Sequence, residues 1–206
     1  MRNDDDRALE SWREKKKNKT KAAIQREALK LFREQGYSAT TAEQIAEAAE
    51  VSRATFFRYF PTKADIVLYD VFASKTLARF LAMPAEMKPL RALQHALQEA
   101  LDETSVEERE QERQREALLR TEPELRKQMP DLFARRLPLV AEALAERWGR
   151  PQDDLEVLAL AGAVVGIAMA LWTVVEQDLS EGFIERHVAL LNKALALLAA
   201  VIDRDG

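Results

Sequence analysis

Residues 38–63 read SATTAEQIAEAAEVSRATFFRYFPTK. Thr41 is a helix N-cap, and Gln44 follows at the spacing of a capping box. Ile45, Ala46 and Ala49 give that helix one apolar face. Glu50-Val51 makes a tight turn, and Ser52 caps a second helix of about two turns. Pro61 ends it, because proline lacks an amide donor and disfavours helix at Phe60. The second helix is dense in groups that touch DNA: Ser52, Arg53, Thr55, Arg58 and Tyr59. This is the layout of a helix-turn-helix, whose second helix enters the major groove while the first crosses the backbone.

Outward from this stretch the spacing stays helical. Upstream, Ile24, Ala28, Leu31, Phe32 and Gln35 keep a three-four rhythm, and Gly36 stands at the C′ position. Downstream, Thr62 caps a long fourth helix with the stripe Ile66, Tyr69, Ala73, Leu77 and Phe80, stopped by Pro84. Leu90, Leu93, Leu97 and Leu101 mark a fifth helix near 88–103. SVEEREQERQRE (105–116) reads as a solvated helix face laced with ion pairs. A stripe from Leu125 to Trp148 marks another helix, with a kink or break expected at Pro130 or Pro138 and closure at Gly149. Ser180 caps a last helix whose apolar surface is broader than one core face needs. Strand signals are absent, so the fold class is all-α.

Composition narrows the function. Hydrophobic residues make up 47% of 206, enough for a sizeable core. With no cysteine there are no disulfides or thiolate metal sites. His95 and His187 are the two histidines and lie far apart in sequence, so no metal centre and no cofactor is expected. There is no glycine-rich phosphate loop and no paired acid and base, so an enzyme is not expected. Charge is uneven: residues 1–65 balance to +3 and the remainder to −7, which suits a DNA-reading head on an acidic trunk. The charged start MRNDDDRALES lacks a signal peptide's apolar region, so the expected location is the cytoplasm.

Val157–Val175 is apolar except for Thr173, long enough to raise a membrane reading. Its flanks are acidic, it is rich in Ala and Gly, and it is the only such run. The expectation is therefore a helix buried on every side and no membrane partner.

The segment AAIQREALKLFREQGYSATTAEQIAEAAEVSRATFFRYFPTKADIV (22–67) resembles the TetR family of bacterial regulators. The resemblance implies a three-helix head over residues 18–78, a ligand-binding and dimerisation trunk over 79–206 with about six more helices, and a homodimer joined through the last two. FFRYFP together with REALLRTEPELR (115–126) looks like the branch that takes acyl-CoA-like ligands. The implied function is a repressor that binds a pseudo-palindromic double-stranded operator and is released by a small hydrophobic effector. The alternatives are an activator, a ligand-independent regulator of the same fold, or a helical membrane-associated protein.

The resemblance also implies roles. Thr41 meets phosphate at the start of the second helix. Arg53 and Thr55 point at bases: arginine grips guanine O6 and N7, and a threonine methyl packs on thymine. Tyr59 and Lys63 touch phosphate, and Ser52 and Arg58 lie on the same surface. Phe57 stands where tyrosine is commoner, so it offers van der Waals contact with sugar or thymine methyl. Ala54 replaces a frequent glycine, and Glu50 replaces the usual turn glycine, which asks it for a positive φ. Arg13, Lys15, Lys16, Lys17, Lys19 and Lys21 form either a solvated tail or a DNA-contacting arm, with Asp4, Asp5 and Asp6 opposing the second. Candidate pocket residues are Phe72, Phe80, Met83, Met87, Leu119, Met129, Phe133, Met169 and Trp172, with His95, Arg115 and Arg120 as polar contacts. Gly162 and Gly166 permit close helix approach. Because Lys63, Phe72 and Phe80 share the fourth helix, that helix is expected to carry ligand-driven motion to the recognition helix.

Overall fold

The computed structural model describes the backbone of residues 2–175 and 179–202, with side chains for 16–173 and 179–201. Arg13, Lys15 and Asp4 to Asp6 of the N-terminal charge clusters lie outside the described side chains. Among the described residues there are eleven α-helices and no strand. They form two compact units, divided between Tyr69 and Asp70, ahead of the boundary expected at 78/79.

The first unit holds α1 (Arg2–Gln35), α2 (Ala42–Ala48), α3 (Arg53–Tyr59) and α4 (Lys63–Leu68). Three side-chain caps start the short helices. Thr41 and Gln44 form the capping box of α2, Ser52 accepts from the Thr55 N–H, and Thr62 and Asp65 form a second box on α4. Gly36 closes α1 with φ 88°. Glu50 follows α2 with φ 53°, the strain expected where glycine is usual. Its N–H bonds Glu47 O and the next, from Val51, bonds Ala46 O, the pattern of a Schellman cap. Ile24, Phe32, Ile45, Phe56, Phe60, Ile66 and Val67 fill the core.

The expected single fourth helix is two. It stops at Tyr69, whose ψ is 117°, and restarts as α5 (Val71–Ala82) on an Asp70 cap. The cause lies in α1. The buried Gln25 side chain donates to both Ile66 O and Tyr69 O at 2.6 Å. A continuous helix would give Ile66 O to the amide of Asp70. Asp70 instead uses its carboxylate to accept from the Ala73 N–H at 2.8 Å, starting a new helix.

The second unit continues with α6 (Pro89–Asp102), α7 (Val106–Thr121), α8 (Pro123–Arg126), α9 (Met129–Trp148), α10 (Leu155–Ala170), a π-helical turn (Leu171–Val175) and α11 (Phe183–Ile202). α6 packs on α5 and α11, and α10 packs on α9 and α11, around Phe80, Leu97, Leu144, Val157, Phe183 and Val188. The break near Pro130 falls before Met129, and Pro138 sits inside an unbroken α9. Gly149 ends α9 in the left-handed region, φ 61°. Arg147 donates to the carbonyls of Phe80, Met83, Pro84 and Met87, which ties the end of α5 and the following turn to α9.

Two further expectations are corrected. The charged segment 105–116 is a solvated face only in part: residues 105–107 are exposed, but Arg115 and Glu116 of α7 are buried. The apolar run is not buried on every side within one protomer. Val157, Leu160 and Ala161 enter the core, while Leu155 (81% exposed), Leu158 and Met169 face outward. Segment Leu155–Thr173 is the one described helix long and apolar enough to cross a membrane, and 22% of it is buried.

Candidate nucleic-acid interface and trunk cavity

α3 presents two faces. Phe56 lies fully in the core, and Phe60 follows it there. Ser52, Arg53, Ala54, Phe57 and Arg58 are exposed, and Thr55 and Tyr59 are half-buried. Arg53 reaches back to α2 and pairs with Glu43 at 3.1 Å, with both side chains largely in solvent. Its guanidinium also lies 5.6 Å from the ring centre of Phe57, one turn along. Arg58 stands over Tyr59 at 5.1 Å. The arginine expected to read a base is thus held at the N-terminal end of α3, next to an exposed aromatic ring. Glu43 was not singled out in the sequence. Its signal was its place at the exposed start of α2, one helix away from the arginine.

Thr41 is exposed; its amide donates to the Gln44 side chain at 2.9 Å, and its hydroxyl oxygen accepts from the Gln44 N–H at 3.2 Å. Lys63 differs more from expectation. Its ammonium donates to Tyr37 O at 2.6 Å and Thr40 O at 3.1 Å, and lies 4.2 Å from the Tyr37 ring centre. It ties the start of α4 to the loop after α1. Lys16, Lys17 and Lys19 are exposed on α1, whereas Lys21 lies over Tyr69 at 4.6 Å.

The second unit holds a cavity of about 60 Å³. Of the expected lining, Phe72, Arg115, Leu119, Met129, Phe133 and Trp172 meet there. The others do not. Phe80, Met83 and Met87 belong to the core under Arg147, His95 is exposed on α6, and Met169 faces out from α10. Arg120 stands beside the wall. It donates to Trp172 O at 3.2 Å and lies 5.1 Å from that residue's ring centre.

Sequence reading missed the charged part of the wall: Asp70, Glu112, Glu116 and Arg136, joined by His187. Arg136 meets Asp70 at 2.6 Å, and Arg115 lies between Glu112 at 2.5 Å and Asp70 at 3.7 Å. Arg120 meets Glu116 at 2.9 Å. Burial pushes the Asp70 carboxyl up, but Arg115, Arg136 and the Ala73 N–H outweigh it and hold the group at about 2. Burial raises Glu112, and Arg115 only partly offsets this. Arg115 is held well above its ordinary value, because Glu112 and Asp70 outweigh its desolvation.

Residues 24–69 match the family described as bacterial regulatory proteins, tetR family, and residues 87–203 match the MftR C-terminal domain. The HTH-type transcriptional regulator TcmR of Streptomyces glaucescens is 44% identical over 86 residues, 41% of this chain and 38% of that protein. The uncharacterised HTH-type regulator YuxN of Bacillus subtilis is 37% identical over 67 residues, 32% of this chain and 23% of that protein. The matches thus span well under half the length of these relatives. Among solved structures, the SmeT–triclosan complex superposes with a TM-score of 0.50 at 18% identity, covering 86% of this chain and 90% of that one. That likeness concerns the fold.

Proposed function

We propose, from the premise that this chain belongs to the TetR family of bacterial transcriptional regulators, that it is a homodimeric repressor of a pseudo-palindromic operator, released by a small amphipathic effector. One observation carries the DNA-binding part. The inner face of α3 is satisfied by the core, while its outer face holds Arg53, Phe57 and Arg58 exposed, in contact only with neighbours on α2 and α3. Arg53 reads guanine in the major groove, and Phe57 meets a neighbouring sugar or thymine methyl. Thr41, Ser52, Ala54, Thr55 and Tyr59 complete that surface. Lys63 supports it from behind, with the remaining N–H of its ammonium toward phosphate.

The outward row of α10 supports the homodimer. It carries Leu158, Ala159, Gly162, Gly166 and Met169, and α11 also exposes Leu197 and Val201. A methyl added at Gly162 or Gly166 would meet nothing in the protomer. Two helix-interior glycines that internal packing does not require suit the close approach of a second helix. This reading also answers the membrane alternative: the apolar face is covered by another copy, in the cytoplasm with its DNA.

The trunk cavity supports an effector site, and its size fits the polar end of an amphipathic molecule. The acyl-CoA-like reading rested on FFRYFP together with REALLRTEPELR, residues 115–126, which includes Arg115 and Arg120. Those arginines serve the cavity wall, since Arg115 is buried in ion pairs and Arg120 stacks on Trp172.

Selection of bound fragments from genomic DNA, with and without cell lipid extract, tests the whole reading. The expected result is a palindromic sequence recovered without extract and lost with it. Recovery of random DNA alone, or a monomeric mass by sedimentation in detergent-free buffer, refutes it.

A further inference from the structure

The reading surface of the head carries a carboxylate that DNA repels. Glu43 stands in the first turn of α2, just behind the Thr41 cap, and its side chain is 55% exposed. Its Oε1 lies 3.1 Å from Nη2 of Arg53 on α3. α2 packs on α3, and Ile45 and Ala46 of the one and Phe56 of the other are buried in the head's core. Two capped, anchored helices therefore bring the pair together. An exposed ion pair contributes little to stability, and a negative charge facing phosphates works against binding. Holding the head together does not account for it.

The surroundings of Arg53 say what the pair does. Arg53 opens α3 directly after the Ser52 cap, where the helix dipole disfavours a cation. Glu43 offsets that. The guanidinium also lies 5.6 Å from the ring centre of Phe57, so it is flanked by a carboxylate from α2 and a ring from its own helix. A loose arginine gives up much rotamer freedom when it docks, and one already flanked gives up less. The grip leaves a reading edge open. Arginine has five N–H donors, two of them on Nη2, so a carboxylate on one leaves the other beside those of Nη1. That two-pronged edge matches guanine O6 and N7. Toward a phosphate, which attracts the arginine as a bare charge, Glu43 cancels part of the pull.

We propose that Glu43 is a positioning residue for base reading: it holds the Arg53 guanidinium for guanine and withholds its charge from phosphates, which raises the ratio of specific to non-specific binding. This deepens the DNA-binding reading above and rests on it. Glu47 supplies the internal contrast. It is exposed one turn on along α2 and carries the same charge, but among the described residues Arg53 pairs with Glu43 and not with Glu47. Both carboxylates repel phosphate, whereas Glu43 also aims the reader.

The test uses the full-length protein on the DNA that selection recovers, on copies with each guanine replaced in turn, and on random DNA, each over a range of salt. A two-pronged arginine contact gives a guanine preference of about tenfold or more at one position, and Arg53→Ala should abolish it. Glu43→Ala should cut that preference at least about threefold. It should also bind random DNA more tightly, with a salt slope steeper by about one unit. Glu43→Gln, which keeps an acceptor without the charge, should retain part of the preference. Glu47→Ala should tighten binding to random DNA and leave the preference intact. In an Arg53→Ala background, Glu43→Ala should have no further effect on base preference. In the free protein, relaxation of the Arg53 Nε–H should show more motion in Glu43→Ala than in the wild type. A wild-type guanine preference in Glu43→Ala, an equal loss in Glu47→Ala, or unchanged Arg53 motion overturns the proposal. A preference that Arg53→Ala abolishes and Glu43→Ala spares sinks this assignment alone. A wild type with no sequence preference sinks the DNA-binding reading and this assignment with it.

Discussion

Replacing Gln25 by leucine tests why the fourth helix is broken. The side chain is 5% exposed, and both its amide hydrogens are used, on Ile66 O and Tyr69 O. Two such bonds contribute about 1 kcal/mol each. Leucine also leaves the buried Ile66 carbonyl without its donor, a further cost of about 1–3 kcal/mol, while its apolar surface returns part of the loss. The net expectation is about 2–4 kcal/mol, confined to the head. Because the chain has two units, a global melt does not isolate it. Hydrogen exchange of the α4 amides in the wild type and variant does. Gln25→Glu sharpens the test: an ionised carboxylate facing two carbonyl oxygens should cost more than leucine, and part of the loss should return on acidification, when the group regains a donor. If Gln25→Leu leaves α4 protection within about 0.5 kcal/mol of wild type, Gln25 does not hold the break.

Four more outcomes are expected. Arg53→Ala should cost about 1–3 kcal/mol on the cognate operator in gel-shift titrations and less on random DNA, and equal loss on both would remove it from base reading. Lys63→Met should destabilise the head in urea as well as weaken DNA binding, and an unchanged salt slope would assign it to scaffolding alone. Gly162 is exposed and a Cβ there meets nothing in the protomer, so sedimentation of Gly162→Ile should show a folded monomer, whereas a persistent dimer would place the interface elsewhere. Asp70 has its native pKa depressed from 3.8 to about 2, so its contribution is present above pH 3.8 and lost as pH falls toward 2. Asp70→Asn should therefore abolish an acid-dependent loss on the order of 2 kcal/mol in trunk stability, and parallel acid curves for the two proteins would contradict that.

The head was legible because its signals are local. Thr41 with Gln44, Ser52 with Thr55, and Thr62 with Asp65 each act within three residues, and the positive φ of Glu50 follows from its turn position. The break at Tyr69 was not legible, because its cause lies 44 positions away in α1. The apolar stripe through Ile66, Ala73 and Phe80 crosses it without interruption. The cavity wall was hidden for a related reason. In sequence, Glu112, Arg115 and Glu116 have the spacing of a solvated ion-pair ladder, and only Asp70 and Arg136, brought in from other helices, make that ladder an interior. Apolar candidates such as Phe133 and Trp172 were found by size and hydrophobicity. The same rule also selected Phe80, which is core, and Met169, which is surface.

The two bare positions on α10 bear on the life of the newly made chain. An unassembled copy carries the softening of two helix-interior glycines, about 1 kcal/mol each relative to alanine, together with an uncovered oily ridge. Under the homodimer reading, mating hides the ridge and offsets the softening, so durability rises with abundance. Scarce copies would be the ones that proteases clear, and the pool would hold few orphaned halves competing for the operator.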